Sequence, residues 1–94
     1  MNDQVELVKS KIDIVEIIGE RVILKKAGRH FKGLCPFHSE KSPSFIVSAE
    51  RQSFKCFGCQ EGGDVLTFMQ KYDGYSFLEA LEVLAKRVGV TLES

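Results

Sequence analysis

Two pairs of metal-binding side chains, each separated by two residues, constrain this chain more than any other feature. Cys35 and His38 form the first pair, seventeen residues follow, and Cys56 and Cys59 form the second pair. Zinc accepts thiolate sulfur and imidazole nitrogen, and a gap of two residues in a tight turn lets both ends of a pair reach one ion. The pattern therefore predicts one tetrahedral zinc site made of these four residues.

Other uses of the cysteines fit the sequence less well. Three cysteines cannot close a set of disulfides, and a dithiol redox site normally opens a helix, whereas glycines interrupt the chain soon after Cys59. His30 has no cysteine at ligand spacing and stays outside the predicted shell. Because four protein ligands fill a tetrahedron, the zinc is expected to be structural, and no catalytic residue is predicted.

Two short helices are predicted before the first ligand pair. Apolar residues recur near helical spacing over residues 4–18, and Asp13 and Gly19 mark the start and the end of a second short helix. Two hairpins follow, because β-branched and alternating residues surround the turn sequences KAGR and SAER. The second hairpin, residues 44–56, returns the chain so that the second ligand pair faces the first.

The last third of the sequence predicts two more helices. The sequence GGD ends the sheet, Asp64 caps a helix that ends at Gly74, and Ser76 with Glu79 forms a capping box for a helix that ends at Gly89. The predicted buried faces are Val65, Phe68, Met69 and Tyr72 on the first helix, and Phe77, Leu81, Leu84 and Val88 on the second. We expect one α+β domain over residues 1–94, with a small antiparallel sheet flanked by helices at both ends of the chain.

Charge is distributed unevenly although the formal net charge is zero. Residues 1–20 and 56–94 each have a net charge of −3, whereas residues 21–55 contain eight Lys or Arg and two Glu, a net charge of +6. Cations interleaved with aromatic rings suit a nucleic-acid strand, whose phosphates need positive charge and whose bases stack on rings. The alternative is a solvated basic face above core phenylalanines.

The basic segment, residues 21–55, predicts which side chains face nucleic acid. A ring for stacking is expected at Phe31 or Phe54, although strand alternation places Phe54 on the face opposite Lys55, so that both cannot contact DNA. Lys41 has a competing role, because it could instead pair with Glu40 or solvent. The predicted contacts are Arg29, His30, Lys32, Lys41, Arg51 and Lys55.

The sequences GLCPFHSEKSPSF and FKCFGCQEGGDVLTF closely resemble the N-terminal zinc-binding domain of bacterial DNA primases, of the CHC2 type. The resemblance covers essentially the whole chain, and Ser42 stands where the family commonly has threonine. It implies a zinc-ribbon sheet flanked by helices and the same four zinc ligands. It further implies a domain that binds the single-stranded DNA template, helps to choose where priming starts, and aids RNA primer synthesis in DNA replication.

The resemblance also implies partners, namely the RNA polymerase domain of the primase, in cis or in trans, and the replicative helicase of the primosome. No glycine-flanked Glu with a following Asp-x-Asp is found in the sequence, so the chain alone is expected to lack the polymerase active site. The isolated domain is expected to be a monomer. No apolar run approaches the roughly 18 residues that span a bilayer, and the start of the chain lacks a secretory signal. A cytoplasmic location without membrane contact is predicted.

One alternative function stays open, a zinc ribbon that serves as a protein-docking module of the replication or transcription machinery. A reader of double-stranded DNA is disfavoured, because neither predicted C-terminal helix carries a cluster of Arg, Lys or Asn suited to the major groove. The docking module and the template-binding domain predict different binding to DNA. A docking module binds a protein partner and has little affinity for bare single strands.

Overall fold

A single sheet joins both predicted hairpins. The structure, a computed structural model, describes residues 2–92. All neighbouring strands pair antiparallel, in the order β1-β2-β3-β4-β5. The elements are α1 (Asn2–Lys11), α2 (Ile14–Gly19), β1 (Lys25–Ala27), β2 (His30–Gly33), β3 (Phe45–Ser48), β4 (Ser53–Cys56), β5 (Gly62–Gly63), α3 (Val65–Asp73) and α4 (Phe77–Val88). The predicted α+β fold is confirmed.

The fifth strand was not predicted, because the sequence GGD was expected to end the sheet. Gly62 and Gly63 instead pair with Lys55 and Phe54 of β4. Glycine is uncommon in strands because it has no side chain to pack, so its presence argued against a strand. Here it permits close approach, since a Cβ on Gly62 would lie 2.9 Å from the carbonyl oxygen of Phe54. This short strand brings the turn that holds the second ligand pair back against the sheet.

One face of the sheet packs against the helices and forms the core. Phe45, Val47 and Phe54 point into it, and the ring of Phe54 lies 5.5 Å from that of Phe45 and 5.6 Å from that of Phe68 on α3. Phe54 is only 3% exposed. Its prediction as a stacking platform for DNA bases was therefore wrong, because its ring is part of the core. Phe31 is half-buried against the same core.

The predicted helix caps are mostly observed. Asp13 accepts a hydrogen bond from the backbone N–H of Val15 and Asp64 from that of Thr67, and the capping box of α4 is complete. Gly74 and Gly89 have φ values of 76° and 74°, the left-handed conformation that ends many helices. The predicted end of α2 differs slightly, because Gly19 is its last helical residue and Glu20 caps it.

The buried face of α4 differs from the predicted stripe at its two ends. Leu81 and Leu84 are buried as expected, but Phe77 is 41% exposed and Val88 is half-buried. The remaining buried positions are Ala80 and Ala85. Periodicity favoured the large apolar residues, whereas the face of α4 that packs near α1 and α3 includes the small side chains of Ala80 and Ala85. Within residues 2–92, no helix is long and apolar enough to cross a membrane.

Candidate metal centre

The four predicted zinc ligands come together at one end of the sheet. Cys35 and His38 lie in the loop between β2 and β3, Cys56 ends β4, and Cys59 lies in the turn before β5. Their ligand atoms all lie within 4.8 Å of one another. Antiparallel pairing produces this meeting, because the end of β2 and the end of β4 both lie beside the start of β3.

The spacing of these atoms fits a tetrahedral zinc ion. Zinc–sulfur bonds of about 2.3 Å place two sulfurs of a tetrahedron about 3.8 Å apart, and a sulfur and a nitrogen about 3.6 Å apart. The Sγ atoms of Cys35 and Cys59 are separated by 3.8 Å, and Cys56 Sγ lies 3.9 Å from Nδ1 of His38. Four protein ligands leave no open position, so the centre is structural rather than catalytic.

Glu40 holds the first ligand pair in place through both of its carboxylate oxygens. One oxygen accepts the backbone N–H groups of Cys35 and Ser44, at 2.8 and 3.2 Å. The other accepts the hydroxyl of Ser44 and lies 3.1 Å from Nε2 of His38. The hydrogen bond from the Ser44 hydroxyl, together with the Cys35 N–H, holds the pKa of Glu40 below its usual value. The carboxylate is therefore ionised at neutral pH.

An ionised Glu40 also selects the form of the histidine that binds metal. Nε2 of His38 lies 3.1 Å from the Glu40 carboxylate, and Nδ1 lies 3.9 Å from Cys56 Sγ. A carboxylate beside Nε2 favours the tautomer with its proton on that nitrogen, which leaves Nδ1 free for the metal. Sequence reasoning missed this role and considered Glu40 only as a partner of Lys41. The signal was its position two residues after His38, since metal-bound histidines usually donate their second N–H to a nearby carboxylate or carbonyl.

The thiols differ in their tendency to ionise. Burial raises the pKa of Cys35 to about 12. Burial also opposes ionisation of Cys56, but the backbone N–H groups of Cys59 and Gly58 and the hydroxyl of Ser44 outweigh it and bring its pKa to about 7. Zinc binds thiolates, so loading the site displaces protons and becomes less favourable as the pH falls.

The six predicted nucleic-acid contacts lie in two separate groups. Arg29, His30, Arg51 and Lys55 line a groove of about 330 Å³ on the open face of the sheet, which we call the Phe57 groove. Lys32 and Lys41 instead line a second groove of about 590 Å³, which we call the Ile23 groove. The other lining residues are Ile46, Ser48, Glu50, Ser53, Phe54 and Phe57 for the first groove, and Arg21, Val22, Ile23, Lys25, Gly33, Leu34, Pro36 and Pro43 for the second.

Phe57 is the aromatic residue that sequence reasoning missed. It directly follows Cys56, its side chain is 64% exposed, and it lines the groove that contains Arg29 and Lys55. Its backbone N–H donates to the carbonyl of Ser44 at 3.0 Å, which holds the turn at the zinc site. The basic segment was defined by charge and ended at residue 55, so this ring fell just outside the range considered.

The comparison with known proteins agrees with this geometry. The family model of the CHC2 zinc finger matches residues 1–94. The chain belongs to the CHC2 zinc finger family. This CHC2 zinc finger is 50% identical to the DNA primase of Clostridium acetobutylicum over 91 residues, which are 97% of this chain and 15% of that protein. It is 51% identical to the DNA primase of Thermotoga maritima over 88 residues, which are 94% of this chain and 16% of that protein.

A solved structure shows the same fold. The crystal structure of the zinc-binding and RNA polymerase domains of the Aquifex aeolicus primase matches this CHC2 zinc finger with a TM-score of 0.91 and 43% identity, over 96% of this chain and 22% of that chain. The resemblance stated from the sequence is thus confirmed, and the ligand cluster fits one structural zinc. The chain spans less than a quarter of the length of each of these relatives.

Proposed function

We propose that this chain is the template-binding module of a DNA primase, and that single-stranded DNA lies in the Phe57 groove. The observation that supports this most is the combination of one exposed ring with four basic or histidine side chains around it, against a single carboxylate, that of Glu50. Phosphates pair with the cations, and a base stacks on the ring. Strand alternation placed Phe54 and Lys55 on opposite faces, so that both could not contact DNA. Phe57 as the stacking ring avoids this conflict, because Phe57 and Lys55 line the same groove.

The charges in the groove are available for a ligand. Within the described part of the chain, Arg29, Arg51 and Lys55 form no ion pair, whereas Lys9, Arg21, Lys71 and Arg87 are paired with carboxylates. Unpaired cations around an apolar ring suit binding of a nucleic-acid strand better than they suit a surface that binds no ligand.

The remaining parts of the proposed role rest on the family resemblance, and the similar proteins are named DNA primases. The chain is proposed to help choose the initiation site and to aid RNA primer synthesis, together with an RNA polymerase domain in cis or in trans and a replicative helicase, in the cytoplasm. It is proposed to be catalytically inert alone. Within residues 2–92, no cluster of carboxylates able to hold catalytic metals accompanies the zinc ligands.

A titration of zinc-loaded protein with fluorescent oligothymidylate over a range of salt concentrations tests the groove. Lys55→Ala and Arg29→Ala are each expected to weaken binding to all single strands and to reduce the slope of log affinity against log salt by about 0.7 per lost phosphate contact. Phe57→Ala is expected to weaken binding by about 1–3 kcal/mol without changing the slope.

Lys86→Ala is the matched control, because this cation lies on α4 rather than on the sheet. Duplex DNA of the same sequence serves as the control ligand. If all three groove variants, folded and zinc-loaded, bind single strands with unchanged affinity and slope, the Phe57 groove is not the template surface. Protein docking then becomes the better-supported function of the two.

A further inference from the structure

We propose that the Ile23 groove is a docking site for a segment of another polypeptide that is rich in both acidic and aliphatic side chains. The proposal does not depend on the Phe57 groove. It begins with Ile23, which is 85% exposed, the highest value among the exposed large apolar residues in the described part of the chain. Leu34 lines the same groove and is 49% exposed. Two exposed aliphatic residues in one concave surface favour a partner with its own apolar side chains.

The charge in the groove determines the second requirement on the partner. Lys25, Lys32 and Lys41 line it, and within residues 2–92 none of the three forms an ion pair. Lys25 and Lys32 are directly opposite each other on neighbouring strands, an arrangement of like charges that destabilises a sheet. A carboxylate placed between them relieves this repulsion. Acidic side chains therefore complement the groove.

A nucleic-acid strand fits this groove less well than a polypeptide does. Among the residues that the structure describes, no aromatic side chain lines it, so it offers bases no stacking platform, in contrast to the Phe57 groove. The exposed aliphatic groups of Ile23 and Leu34 gain most from contact with other aliphatic groups. An alternation of acidic and aliphatic residues in the partner satisfies both features.

The walls of the groove are held in place before any partner binds. Arg21 pairs with Asp73 at 3.1 Å and donates to the carbonyl of Ile17, which fixes the start of one wall. The segment that carries Ile23 lies tightly on β2, since a Cβ on Gly33 would come within 2.5 Å of the Ile23 carbonyl oxygen. Pro36 and Lys41, which lie in the zinc-binding loop, also line the groove. A preformed groove lowers the ordering cost of docking.

The test uses the zinc-loaded chain and a peptide of about twelve residues in which Glu and Leu alternate. We expect binding that shifts the methyl signals of Ile23 and Leu34 in NMR spectra. Ile23→Ser and Leu34→Ser are each expected to weaken it by at least about tenfold. Peptides with Gln for Glu or Ser for Leu should both bind more weakly. Leu7→Ser is the matched control, since Leu7 is an exposed aliphatic residue on α1 with 46% exposure.

Ile23→Ser removes little packing, so a normal melting temperature and zinc content will show that the fold is intact. Unchanged peptide affinity in that variant overturns the proposal, as does absence of binding by the original chain up to about 1 mM peptide. Two further outcomes also overturn it. Oligothymidylate that displaces the peptide and shifts the same methyl groups identifies nucleic acid as the occupant, and self-association abolished by Ile23→Ser identifies a second copy of the chain.

Discussion

Replacement of Glu40 is expected to weaken the zinc site although Glu40 does not bind the metal. Its carboxylate makes four contacts: it accepts hydrogen bonds from the backbone N–H groups of Cys35 and Ser44 and from the Ser44 hydroxyl, and it lies 3.1 Å from Nε2 of His38. Glu40→Ala removes all four and frees the imidazole to rotate. Loss of such a supporting group typically costs 10–100-fold in metal affinity. Because four contacts are lost at once, we expect a loss near the upper end, about a hundredfold.

Glu40→Gln separates the roles of shape and charge. The amide oxygen can face either His38 or the backbone N–H groups of Cys35 and Ser44, and the NH2 group then opposes donors on the other side. An intermediate loss, about tenfold, is therefore expected. Competition with a chromophoric chelator gives the affinity, and the absorption spectrum of the cobalt-substituted protein reports the ligand geometry. Glu82→Gln on α4 is the control. Unchanged affinity and an unchanged cobalt spectrum in Glu40→Ala would refute the supporting role.

Three further predictions concern stability. Phe54→Ala is expected to destabilise the fold by about 3–5 kcal/mol, because it empties a buried site between two rings. Phe57→Ala should leave the melting temperature nearly unchanged. Similar losses of stability in urea titrations of the two variants would contradict the assignment of Phe54 to the core and Phe57 to the surface. Asp64→Ala should lower the stability by about 1 kcal/mol, because the cap of α3 is lost. Asp64→Asn should lower it less, because asparagine also caps helices. Equal losses of stability for the two variants in denaturant titrations would argue against capping. The pKa of Asp64 is lowered, since the Thr67 N–H and Lys9 outweigh the opposing effect of burial, so its contribution is present above its ordinary pKa and is lost as the pH falls through the lowered value. Cys59→Ser or chelation of the zinc should abolish the cooperative unfolding transition, because structural zinc supplies about 10–16 kcal/mol in small peptides and the total stability of a domain of this size is about 5–14 kcal/mol. Metal analysis and thermal melts check this prediction. A metal-free chain with an unchanged melting temperature would show that zinc is dispensable for the fold.

The sequence was most informative where a structural signal is local. Asp64, Ser76 and Gly89 act within one turn of a helix, and each takes the role that its residue type predicts. The ligand pairs are also local, and an antiparallel hairpin between them was enough to predict that they meet. Such features depend on a few neighbouring residues, so that a single sequence contains most of the information.

Features that depend on distant contacts were predicted less well. Phe54 and Phe57 are both aromatic residues near the zinc ligands, and only the packing of α3 on the sheet buries the first and leaves the second exposed. The role of Glu40 depends on the folding of the loop around His38. Strand β5 depends on a partner strand rather than on its own two glycines. In each case tertiary contacts, which residue type does not encode, determined the outcome.

The position of the zinc ligands between the two grooves affects how genetic data on this domain should be interpreted. The loop with Cys35 and His38 supplies Pro36 and Lys41 to one groove, and the turn between Cys56 and Cys59 supplies Phe57 to the other. A ligand substitution therefore disturbs both surfaces at once, and its phenotype cannot be assigned to either. Only alleles at exposed groove residues, such as Ile23 and Phe57, can separate the two surfaces in a complementation experiment.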